Sequence, residues 1–99
     1  MMNVRNMVSR NSGREVANQF IISDGGKVLF QSYESPIVEI NSDEKTVTVY
    51  RYYDFSKTTA KYRNQFMADN GFYDMDDKKG FEYYMTLGMY RDYKIVKAF

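Results

Sequence analysis

The chemistry open to this chain is narrow from the outset, because its 99 residues include no His and no Cys. That removes the commonest general base, the thiolate nucleophile and most transition-metal ligands. Ser, Thr, Lys, Tyr, Asp and Glu remain, and they permit in principle a Ser–Lys or paired-carboxylate enzyme. The Gly25-Gly26 pair lacks the Lys-Ser/Thr that a phosphate-binding loop requires. No catalytic residue and no cofactor are predicted, and the chain is expected not to be an enzyme.

Three other groups of residues invite a functional reading. The acidic run Asp74-Met75-Asp76-Asp77 suggests calcium, but an EF-hand loop starting at Asp74 would place Lys78, Lys79 and Met85 where an oxygen ligand, a Gly and a Glu are needed. The register fails, no metal site is predicted, and acids at a helix N-terminus are the plainer expectation. Between Tyr50 and Arg63, the bases Arg51, Lys57, Lys61 and Arg63 interleave with Tyr52 and Tyr62. Cations beside aromatic faces are what single-stranded nucleic acid needs, although a solvated face with some core rings accounts for the same pattern. The run from Tyr83 to Tyr93 mixes Tyr, Met and Arg, a composition enriched at protein interfaces. Tyr83, Tyr90 and Arg91, with Asp74, Asp76 and Asp77, form the predicted protein-binding set, and Arg51, Tyr52, Lys57, Lys61, Tyr62 and Arg63 form the alternative nucleic-acid set.

The elements that must position these residues belong to one small domain. Ten Tyr and seven Phe against two Leu (Leu29, Leu87) point to a core built largely from rings. A net charge of +1 argues against non-specific nucleic-acid binding by bulk charge. Residues 1–14 nevertheless carry Arg5, Arg10 and Arg14 without an acid, and residues 69–82 are acid-rich. The absence of Cys suits a reducing compartment. The start shows no apolar core of a signal peptide and the chain no run of membrane-spanning length, so a cytoplasmic location, with no membrane partner, is expected.

Residues 1–13 are polar with a weak Val4, Met7, Val8 spacing and read as a frayed helix or a flexible arm, leaving 14–99 as the folded domain. Alternation from Glu15, a turn at Asp24-Gly25-Gly26 and a second run over Lys27–Tyr33 predict a hairpin. Ser35-Pro36 breaks that strand. Ile37–Ile40 and the alternating Thr46–Tyr53 complete four strands. Ser56 is placed to cap a helix by accepting the N–H of Thr59, with Phe55 stapled on Ala60, Tyr62 and Phe66 toward the sheet, and Asn70-Gly71 as the stop. A second helix begins at Asp74 or Asp76, presents Phe81, Tyr84 and Met85 on one face and stops at Gly88; Tyr90–Phe99 is the last strand. The order β-β-β-β-α-α-β predicts an α+β fold, an antiparallel sheet of four to five strands with two helices on one face.

Three stretches carry a resemblance. Val16-Ala17-Asn18-Gln19-Phe20, Phe30-Gln31-Ser32-Tyr33-Glu34-Ser35 and Asp54–Phe66 resemble a family of small uncharacterised proteins from bacteriophages and other mobile elements, with an F-Q-S-Y-x-S strand and a D-Y-S-x-T-T-x-K-Y helix start. The resemblance spans roughly residues 16–67, with Phe55 in place of Tyr and Met67 in place of Leu. It implies no activity and transfers no site residues. Its company implies a phage accessory protein that binds and inhibits a host protein, a defence nuclease complex in the manner of an anti-CRISPR protein being the pointed case, by blocking or by nucleic-acid mimicry through the acidic 69–77 region. A small nucleic-acid-binding module and a homo-oligomeric structural or assembly protein stand as the alternatives.

Overall fold

The computed structural model describes residues 2–99. Five strands come first: β1 (Met2–Val8), β2 (Glu15–Asp24), β3 (Lys27–Ser32), β4 (Ser35–Asn41) and β5 (Thr46–Tyr50). Helix α1 (Lys57–Asp69), a 3-10 turn (Tyr73–Met75) and helix α2 (Lys78–Leu87) follow, and the short β6 (Met89–Tyr90) and β7 (Tyr93–Ala98) close the chain. The sheet has seven strands in the order β1-β2-β3-β4-β5-β7-β6. Every neighbouring pair is antiparallel except β5 and β7, which run parallel. The class is α+β as expected; the sheet is mixed and larger than the four to five antiparallel strands read from the sequence. The physical reason is the crossover: a parallel neighbour needs a connection long enough to return to the same end of the sheet, and α1 and α2 supply it.

Most local signals hold. The β2–β3 hairpin closes with Asp24 opposite Lys27 around Gly25, whose φ of 61° suits glycine. Ser56 caps α1 and accepts the Thr59 N–H at 3.1 Å. Gly88 ends α2 in the left-handed conformation, donating its N–H to the Tyr84 carbonyl.

Corrections arise where distant parts of the chain meet. Residues 2–8, read as part of an arm, form strand β1 on the edge of the sheet. The loop behind β1 is clamped to α1: the Gln65 amide donates to the Val8 carbonyl at 2.7 Å, and Arg10 reaches Asp69 at 2.6 Å. Pro36 sits inside β4 opposite Gln31, next to a register shift, so the missing ladder donor is absorbed at an irregularity. The strand predicted over Thr46–Tyr53 stops at Tyr50, and Arg51 and Tyr52 lie in the turn that leads to α1. The second helix starts at Lys78, capped by Asp77, after the 3-10 turn. Phe55 does not staple onto the helix; it is 74% exposed.

The core lies between the helices and one face of the sheet. Ile21, Phe30, Val38, Ile40, Val47, Val49 and Ile95 contribute from the strands, and Tyr62, Phe66, Met67, Met75 and Phe81 from the helical side. Phe30 and Phe66 stack with ring centroids 5.8 Å apart. The core is ring-rich, as the composition implied.

Candidate functional site

Two surface regions collect the residues that could bind something, and an ion pair around a buried arginine links elements next to both. The ion pair begins with Arg63 on α1, a member of the predicted nucleic-acid set. Its side chain is fully buried. Its guanidinium donates to the Tyr53 carbonyl at 2.9 Å and to Asp54 at 3.3 Å, and twice to the Asn64 amide oxygen at 3.2 and 2.8 Å. It lies 4.7 Å from the centroid of the Phe81 ring. Burial pulls its pKa down while the Asp54 charge opposes the shift. Burial pushes Asp54 up, but hydrogen bonding and charge from Lys78, with Arg63 behind it, outweigh that and hold the carboxyl below its ordinary value. Tyr53 donates its hydroxyl to Glu82 at 2.9 Å, and burial first, then Glu82, pushes its phenol up. A buried charge this well satisfied is structural: it ties the turn before α1 to α2. Tyr62 is buried in the core as well. Of the alternative set, Arg51, Tyr52, Lys57 and Lys61 remain on the surface.

The first region is a pocket of about 560 Å³ beside the start of α1. Ser32 comes from the end of β3, Tyr33 from the β3–β4 turn, and Ser35 and Ile37 from β4; Tyr52, Phe55, Ser56, Thr58 and Thr59 come from the turn and first helical residues. The three stretches quoted above meet here. Asn18 and Tyr33 both adopt positive φ, 63° and 55°, and the Tyr33 N–H donates to the Asn18 carbonyl at 2.6 Å. Gln19 pairs across the strands with Ser32. The Ser32 and Thr59 hydroxyls lie 3.2 Å apart, and Ser56 donates to Thr59 at 3.1 Å. Sequence reasoning found Ser56, Thr58 and Thr59 at a helix start and found the Phe30–Ser35 stretch, but nothing in their spacing shows that they face one another.

The second region is a shallower groove of about 410 Å³ lined by Tyr73, Asp74, Asp76, Asp77, Lys79, Gly80 and Tyr83. Four of the six residues predicted to bind protein are here. Tyr83 is 60% exposed, and Tyr73, which the sequence reading passed over, is exposed beside it. Asp77 is partly committed as the α2 cap, accepting the Gly80 N–H at 2.7 Å. Gly80 is required by packing: a Cβ there would collide with the Asp74 carbonyl. Tyr90 departs from expectation, being 3% exposed. Its ring packs 5.2 Å from Phe72 and 4.9 Å from Tyr84 by centroid, and its hydroxyl donates to Asp74 at 3.1 Å; it supports the groove from beneath. Arg91 is exposed in the β6–β7 turn, outside the groove lining. Leu87 shares a shallow depression with Tyr83 and extends the exposed apolar surface past it.

Among the described residues no cluster of three or more carboxylates is placed to hold a metal ion, and no helix is long and apolar enough to cross a membrane. Fold and surfaces together define a small α+β domain with two separate candidate binding regions. Residues 2–82 match a family of unknown function, DUF8033, and the chain belongs to that family. No curated protein and no solved structure matches it.

Proposed function

We propose that the chain is a non-catalytic accessory protein of a bacteriophage or mobile element that works by binding a protein partner through the groove around Tyr83, with a host-defence nuclease as the pointed candidate. The observation that carries this is the exposure of Tyr73 and Tyr83 among Asp74, Asp76 and Asp77 in one depression. Exposed Tyr supplies rigid, amphipathic contact area. The acids favour a basic partner surface, and a nuclease displays such a surface where it grips its substrate. Leu87 continues the apolar part of the contact.

The test is an affinity pull-down from bacterial lysate, with and without nuclease treatment, using the native chain and the Tyr73→Ala/Tyr83→Ala double variant. A partner retained after nuclease and lost with the double variant supports the reading. Retention by the double variant sinks it. The alternative nucleic-acid module keeps Arg51, Tyr52, Lys57 and Lys61 on the surface, and it gains if every captured species disappears with nuclease.

A further inference from the structure

We propose that the pocket beside the start of α1 is a nucleotide site, which takes the base between aromatic rings and reads its edge with hydroxyls. This does not rest on the groove, with which the pocket shares no lining residue. Three observations lead to it. First, the pocket has aromatic rings at Tyr33, Tyr52 and Phe55, and all three are substantially exposed. Phe55 and Tyr52 meet edge to face at 5.5 Å. A Phe so exposed gains little from the core, whereas rings around a cavity offer a base the faces it stacks on.

Second, the polar lining is made of hydroxyls. Hydroxyls both donate and accept and can rotate to suit, so they match base edges that mix the two kinds of group. None of the lining residues carries a charge; in the chain the exposed cations Arg51 and Lys57 adjoin Tyr52 and Ser56, while of the neighbouring acids Glu34 is exposed and Asp54 is paired with Arg63 and Lys78. Third, the floor is buried and polar. Ser32 and Thr59 are 4% and 3% exposed, their hydroxyls lie 3.2 Å apart, and Ser56 donates to Thr59. Gln19, 1% exposed, stands across the strands from Ser32, and its Oε1 is a buried acceptor without a hydrogen-bond partner among the described residues. Such a group is costly to leave unmet. The volume also lies within the usual range for small-ligand sites, roughly 300–1,000 Å³.

The experiment is isothermal titration of the full chain with thymidine monophosphate and, separately, with a short oligothymidylate, at low and physiological salt. Phe55→Ala and Tyr33→Ala, both at exposed positions, are expected to weaken binding about tenfold or more each, the range of one base–aromatic stack; Ser32→Ala should weaken it further, and Tyr83→Ala should leave it unchanged. Equal affinity for both probes identifies a free nucleotide as the ligand. Tighter, salt-sensitive binding of the oligonucleotide identifies a nucleotide within a strand. Absence of binding by both probes at millimolar concentration, or affinity unchanged in both ring variants, overturns the proposal.

Discussion

The pocket and the groove are built in opposite ways. The groove is local: Tyr73 to Tyr83 are close in sequence, and the 3-10 turn, the Asp77 cap and one helix turn lay them side by side. The pocket is assembled from afar. Ser32 and Tyr33 stand on the β3–β4 connection, Tyr52 to Thr59 on the entry to α1, and Asn18 reaches in from β2 to hold Tyr33. In the groove the exposed rings of Tyr73 and Tyr83 can be altered with little effect on the fold, whereas Gly80 and the Asp77 cap cannot. A cavity whose floor is a buried hydroxyl contact between a strand and a helix is part of the fold, and its residues serve two ends at once.

The largest effect is expected where the two regions are joined. Asp54→Ala leaves the buried Arg63 without its charge partner, and because Asp54 is 28% exposed the loss is expected at about 3 kcal/mol, the low end of the range for a buried pair; urea denaturation should show it. A loss below about 1 kcal/mol would mean that the pair is not what couples the turn at 51–55 to α2. The same pair sets acid sensitivity. The folded carboxyl titrates below its ordinary value of 3.8, so its contribution is fully present above that value. It is lost as pH falls through the lower, folded one, because the unfolded chain takes up the proton first. Native Asp54 should therefore add an acid-labile component to stability below about pH 4, one that the Asp54→Ala variant lacks.

Gly80→Ala comes next and separates the regions. Its Cβ meets the Asp74 carbonyl, backbone that cannot swing aside, and overpacking of this kind costs about 1–3 kcal/mol. Thermal denaturation should report that loss together with weakened partner binding, while nucleotide binding stays near its native value. The smallest effect belongs to Ser56→Ala. Losing an N-cap costs about 1 kcal/mol, and Thr59 also loses the hydroxyl that donates to it. Here partner binding should persist while nucleotide affinity drops. A variant pair in which both activities fall together would show that the two surfaces form one site.

The sequence by itself determined whatever depends on neighbours along the chain. Ser56 caps α1 because its hydroxyl reaches the Thr59 N–H three residues on. Gly88 stops α2 because glycine reaches φ 84° without a Cβ penalty. Tyr62 and Phe66 face the core because helical geometry puts i and i+4 on one side. The acidic, Tyr-bearing groove was half visible for the same reason, with Tyr83 and the three Asp residues found and Tyr73 missed.

Only the tertiary structure decided the rest. Arg63 reads as one more surface base until Phe81 and Asp54 close over it, and Tyr90 reads as an interface ring until Phe72 and Tyr84 cover it. Strand β1 has no strong pattern of its own and exists through pairing with β2, and β7 lies parallel to β5 because the helices carry the chain back across the sheet. The pocket needs all of this. Spacing along a chain encodes which residues share a helix face or a turn; which strand end meets which helix start is settled by the free energy of burying one common core.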